Sequence, residues 1–276
     1  MPVHARYFTD PACPASWGIE PALRKLVLEF GGNLDFTYVM GGLARDFSKA
    51  DRLRLVYDWL DYGERSGMPV DPRLWREGPL GSSFPACMAV KAAGEQGRDG
   101  ELLRALREGI LCFRRKLDTA EALVEEARRV GLDVERFRID LGSNAIVELF
   151  AGDIEEARAV PEEARAEGVV VERQGKERVP LPTVAFVAAD GTRHWVFDQA
   201  PYERYRDAAL AAGAQPGGET LDVEGALQRF GRMATAEVEA VCGLPTPRAA
   251  AELWRLVGEW KAKPTQTLTG WFFEPA

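Results

Sequence analysis

Histidine, cysteine and surplus positive charge are what this sequence has least of. Its 276 residues include two histidines, His4 and His194, and four cysteines, Cys13, Cys87, Cys112 and Cys242. No two cysteines stand at C-x-x-C spacing, so a Cys/His metal site has no local signature and no metal is expected. A histidine-based hydrolase is poorly supplied too, since His194 falls in a strand-like run and His4 beside the terminus. Four scattered thiols do not make a disulfide framework, and a reducing compartment would keep them as thiols. A net charge of −8 lacks the clustered lysine and arginine that hold nucleic acid or anionic lipid, so neither is expected as a partner. No stretch approaches the ~20 consecutive apolar residues of a transmembrane helix. The opening residues, Pro2 to Phe8, contain no apolar leader, which predicts a cytoplasmic protein. What is present is core material: 46% of residues are hydrophobic, and the length suits about two domains or one enlarged one.

Residues 5–9 read as a short strand, broken by Asp10-Pro11. Beyond Pro14 the apolar positions Ile19, Leu23, Leu26, Val27 and Phe30 share one helical face, and Gly31-Gly32 ends it. Leu34, Phe36 and Tyr38 then alternate with polar residues, as in a half-buried strand. The result is a β-α-β unit, hence a parallel pair with a right-handed crossover. From about Phe47 to Leu149 the pattern is helical, with glycine stops. Strands return at Thr183–Ala188 and Arg193–Phe197 around Asp190-Gly191, which predicts a two-residue hairpin turn. A helix over 201–212 follows. After the linker-like residues 214–218 come helices over 223–232, 235–242 and 247–259 and a threonine-rich segment ending in Trp271-Phe272-Phe273. These elements predict an α/β protein: a thioredoxin fold with an inserted all-helical domain and a C-terminal winged-helix-like module. The first part of the thioredoxin fold is expected at 1–46, the insertion at 47–150, the second part at 151–213 and the module at 218–276. Residues 218–276 carry fewer basic than acidic side chains, so the module suits packing or protein docking better than DNA.

The most informative stretch is Asp10-Pro11-Ala12-Cys13-Pro14-Ala15-Ser16-Trp17. With Cys13 as N-cap and Pro14 as first helical residue, the proline sits where its missing N–H costs nothing. The sulfur then faces free amides, a setting that lowers a thiol pKa from ~8.5. The dipole supplies ~0.3–1 kcal/mol, and one pKa unit needs ~1.4 kcal/mol, so direct N–H···S bonds must do the rest. Pro21 conflicts with a continuous helix. Two readings stay open: a kinked helix from Pro14, or a helix starting at Pro21 with Cys13 in a loop.

Cys-Pro-x-x-Trp after a first strand, an inserted helical domain and Pro182-Thr183 before the next strand resemble the DsbA-like branch of the thioredoxin superfamily. More narrowly, Thr9-Asp10-Pro11-Ala12-Cys13-Pro14, Glu20-Pro21, Val39-Met40-Gly41-Gly42-Leu43 and Ser83-Phe84-Pro85-Ala86-Cys87 resemble its cytoplasmic FrnE-like members. That branch also includes the adaptor presenting the Spx regulator to ClpXP. The resemblance implies that Cys13 is the nucleophile, with Ser16 and the helix N-terminus stabilising its thiolate. It implies that Pro182 (or, less well placed, Pro180) is a cis-proline facing it, and that Pro14, Trp17, Leu181 and Thr183 line the substrate groove. Ser16 occupies the usual place of the resolving cysteine, so a dithiol cycle has no intra-motif partner. Cys87 is the candidate second thiol; otherwise it packs as a small hydrophobe.

Cys13-Pro14-Ala15-Ser16 also resembles, in spacing, the motif of the kappa-class glutathione transferase and hydroxychromene-carboxylate isomerase group. The leading expectation is a DsbA-like enzyme doing thiol–disulfide exchange through one cysteine. The alternatives are a non-catalytic protein-binding adaptor on the same scaffold and a glutathione-dependent transferase or isomerase. No bound cofactor is expected, with glutathione or another small thiol as co-substrate. The expected partners are protein or low-molecular-weight thiols and disulfides, with a further protein partner through the C-terminal module.

Overall fold

The computed structural model describes residues 2–173 and 175–276. The chain opens with β1 (Val3–Thr9), α1 (Pro14–Gly18), α2 (Glu20–Phe30) and β2 (Leu34–Met40). Helices α3 (Arg52–Ser66), α4 (Leu74–Glu77), α5 (Phe84–Gly94), α6 (Asp99–Arg107), α7 (Ala120–Arg129), α8 (Val134–Leu141), α9 (Asn144–Arg158) and α10 (Glu162–Ala166) follow. Next come β3 (Val171–Arg173), β4 (Lys176–Arg178), β5 (Thr183–Val187), β6 (Arg193–Phe197) and α11 (Tyr202–Ala211). The C-terminal part is α12 (Val223–Phe230), β7 (Met233–Ala234), α13 (Thr235–Cys242), α14 (Thr246–Gly258), β8 (Ala262–Gln266) and β9 (Trp271–Pro275).

The central sheet has the order β2-β1-β5-β6. β1 runs parallel to β2, while β5 is antiparallel to both β1 and β6. With α1–α2 and α11 packed on it, this is a thioredoxin fold with mostly helical sequence between β2 and β5. The boundary expected at 150/151 falls inside α9, whose Asp153 carboxylate accepts the Met40 amide of β2 at 2.8 Å. The last six elements make a winged-helix arrangement with sheet order β7-β9-β8.

Both readings of the first helix were half right. It starts at Pro14, breaks at Ile19 (φ −94°, ψ 0°), and restarts with Pro21 in the first turn of α2, where a missing N–H breaks no helical bond. The hairpin differs from expectation. Ala188 N–H donates to Thr192 at 2.8 Å and Gly191 N–H to Ala188 at 2.9 Å, leaving residues 189–191 as a three-residue loop. Gly191 takes the left-handed position (φ 86°) that such a loop requires. The β3–β4 hairpin was not foreseen: each strand is three residues, too short to show alternation.

Candidate functional site

The site is built where β1 ends and α1 begins. Asp10 turns the chain: its side chain accepts the Ala12 amide at 2.8 Å, and its carbonyl accepts the Cys13 amide at 3.2 Å. Cys13 (φ −85°, ψ 111°) is the N-cap of α1, and its sulfur accepts the Ser16 amide at 3.4 Å. The thiol donates to the Leu181 carbonyl at 3.5 Å. The Leu181–Pro182 peptide is cis, so the expected cis bond falls at Pro182 and not at Pro180.

The thiol's environment overturns the expectation of a lowered pKa. Cys13 is 3% exposed, and burial pushes its pKa above the ordinary value. The Ser16 side chain and amide pull the other way, Asp10 pushes upward, and Arg107 pulls down. The net direction is up because burial outweighs the Ser16 hydrogen bonds and the Arg107 charge. Ser16 Oγ, also buried, has no hydrogen-bond partner among the described residues and can turn toward a thiolate.

Two more expectations need correction. Trp17 does not wall a groove. It is fully buried, donates Nε1–H to the Pro69 carbonyl at 2.8 Å, and packs against Phe272 of β9 with its ring centroid 6.2 Å away. The Arg104 guanidinium lies 4.5 Å from its ring centre. Thr183 is likewise closed in, with its hydroxyl donating to the Pro180 carbonyl at 2.8 Å. The reason is shared: both follow the reactive segments by one residue and turn inward. Cys13, Pro14 and Leu181 do line an open cleft of about 500 Å³. Cys87, on α5, is buried and donates its thiol to the Asp10 carboxylate at 3.2 Å; burial, then Asp10, pushes its pKa well up. Cys13 and Cys87 are both free thiols.

Asp10, Arg107 and Arg178 were missed. Asp10 accepts from Ala12, Leu43, Ser83 and Cys87, tying β1 to the β2–α3 segment and to α5. Only the Asp-Pro pair hinted at it, as a chain break. Arg107 is fully buried on α6 and donates to the Tyr7 hydroxyl at 2.9 Å. Nothing local marks it among the other helical arginines. Arg178, on β4, reaches the Gly41 carbonyl at 3.2 Å within the same cleft.

Asp10→Asn tests the electrostatics. Removing the charge that pushes the Cys13 thiol upward should lower its pKa and speed alkylation at neutral pH, read per site by mass spectrometry across a pH series. An unchanged profile would show that the carboxylate does not reach the thiol. The same change should cost about 1–3 kcal/mol of stability, because Ala12 and Leu43 donate to different carboxylate oxygens and one of these becomes an NH2 donor facing an N–H.

A family model described as thioredoxin matches residues 7–164. The ClpXP adapter protein SpxH of Halalkalibacterium halodurans is 33% identical over 164 residues, 56% of this chain and 54% of that protein. The chain thus spans about half the length of the first curated relatives it matches. The SpxH of Bacillus licheniformis is 25% identical over 280 residues, 99% of this chain and 88% of that protein. Among solved structures, the cytosolic disulfide reductase DsbM from Pseudomonas aeruginosa superposes with a TM-score of 0.55 at 21% identity, covering 75% of this chain and 96% of that one. At that identity the likeness is one of fold.

Proposed function

The chain belongs to the thioredoxin family, and from that premise we propose that it is a protein-binding adaptor on a DsbA-like scaffold, holding a partner segment in the cleft beside Cys13 without redox turnover. One observation carries this reading: the single thiol of the motif is buried with its pKa pushed up, and Ser16 stands where a second sulfur would be needed. The thiolate is the nucleophile in exchange chemistry, so a thiol held protonated at neutral pH suits contact better than attack. The names of the SpxH relatives support the same reading, and through them the bound protein would be handed to ClpXP. The winged-helix part adds a second surface for that assembly. On its longest helix Arg255 is paired with Glu252 at 2.9 Å and with Glu259 at 2.5 Å, which leaves Arg248 as that helix's one cation without an ion pair among the described residues. Among the described residues no helix is long and apolar enough to cross a membrane, and a cytoplasmic setting fits the free thiols.

A second reading, monothiol exchange, is favoured by the Ser16 amide aimed at the sulfur. In that scheme the Cys13 thiolate attacks a disulfide, one sulfur leaves as a thiolate, and glutathione attacks the mixed disulfide to release Cys13. Cys13→Ser separates the two. For an adaptor, peptide binding in the cleft stays within about twofold of the unaltered protein, a change under ~0.5 kcal/mol, and glutathione-dependent disulfide reduction is at background before and after. Turnover that is present in the unaltered protein and lost in Cys13→Ser would reverse the assignment. Turnover that survives the substitution would point instead to a glutathione-dependent transferase or isomerase.

A further inference from the structure

The cleft beside Cys13 gathers positive charge that the rest of the molecule neutralises. Arg45, Lys49, Arg158, Arg173, Lys176 and Arg178 all line it, contributed by the segment after β2, the end of α9 and the β3–β4 hairpin. Among the described residues none of these six forms an ion pair. Arginines elsewhere, such as Arg104, Arg115 and Arg232, are tied to carboxylates. Three acids share the cleft, Asp46, Asp58 and Asp198, and each is engaged locally: Asp46 by Ser48, Asp58 by Arg54 and Asp198 by the Gln199 amide. In a chain of net charge −8, such a concentration opposes the average field.

Arg178 is an independent sign. Its side chain is buried at 6% exposure, yet it makes a single hydrogen bond, to the Gly41 carbonyl. Its buried Nε–H has no acceptor among the described residues. Buried charges are ordinarily paired, and a guanidinium is shaped to hold a carboxylate through two parallel bonds. The walls around it include apolar side chains, among them Leu43, Phe84, Ile154 and Leu181. An apolar floor with spaced cations above it fits an extended chain better than a lone small anion.

We infer that the cleft binds an extended acidic segment of a partner protein, with one carboxylate taken by Arg178 and flanking carboxylates met by the cations of the rim. This rests on the protein-binding reading and names the chemistry of its partner. The test uses two fluorescein-labelled peptides, one alternating glutamate with valine and its glutamine twin. Binding to the full chain is read by anisotropy at low and high salt, and occupancy of the cleft by protection of Cys13 from alkylation. The glutamate peptide should bind about tenfold or more tighter than its twin, weaken as salt shortens the screening length, and protect Cys13. Arg178→Met should remove most of that preference. Arg173→Gln with Lys176→Gln, on the exposed hairpin, should weaken it several-fold without touching the buried site, so a folding failure of the first variant leaves a working test. Equal binding of the two peptides, with Cys13 protected, would overturn the acidic preference while leaving a protein-binding cleft. No protection by either peptide would overturn this inference and count against the binding reading as well. If Arg178→Met shifts the Cys13 alkylation profile and leaves peptide preference intact, the guanidinium serves the thiol and the inference fails.

Discussion

Glu237→Ala should lower the unfolding free energy by about 3–5 kcal/mol, the range for removing one partner of a buried ion pair. Glu237 is fully buried on α13 and bonds Arg24 at 2.7 Å and Arg104 at 2.6 Å, while accepting the Ala234 amide at 2.7 Å. Truncation would leave the nearly buried Arg24 without a carboxylate, and Arg104 with only Glu20 and Glu108, where the winged-helix part meets α2 and α6. Urea unfolding measures the cost, and a loss under ~1 kcal/mol would mean that the cluster is neutral to stability. Acid should reproduce the effect. Burial would raise the Glu237 pKa, but the charges of Arg104, then Arg24, with hydrogen bonds from Arg104 and the Ala234 amide, hold it below the ordinary 4.5. A carboxyl depressed in the folded state contributes stability above its unfolded pKa and loses it as pH falls through the lower folded value. The unaltered protein should therefore lose stability below about pH 4.5 more steeply than Glu237→Ala does.

Trp17→Ala should cost a comparable ~3–5 kcal/mol, as for other fully buried aromatic truncations. The indole is packed between the helical part and β9, and its loss removes its contacts with the Arg104 guanidinium and Phe272 and its hydrogen bond to the Pro69 carbonyl, which keeps only the Cys112 thiol. The consequence should be local as well as global. Amides of β9, and the Val70 amide that donates to Thr269 at 2.8 Å, should exchange with solvent faster, because Trp17 is the link from the motif helix to the C-terminal part. Trp17→Phe should recover much of the packing and leave only the lost Nε1–H bond. If Trp17→Ala loses stability while exchange in β9 is unchanged, the indole supports the core but does not couple the two parts.

How far the sequence could be read follows from which interactions are local. β1, β2, β5 and β6 showed themselves through alternation and turn residues, and the winged-helix order through helical periodicity and linker composition. Pro14 offered Cys13 as an N-cap, because a proline has few other places in a helix, while Pro21 kept a loop reading open beside it. The break at Ile19 was visible as the Pro21 conflict, although the residues alone did not resolve it. The chemistry of the site was not legible in the same way. Whether the Cys13 thiol is held up or down in pKa depends on burial by Leu181, 168 positions away along the chain, and on charges from β1 and α6. Trp17 turned inward because Phe272 and Pro69 close over it, and Arg178 is buried without an ion-pair partner among the described residues. The sequence by itself determined which elements form, since neighbours three, four or two residues apart decide that. Only the tertiary structure decided which side chains lose their water and which charges meet, because desolvation and Coulomb energy depend on distance in space and not along the chain.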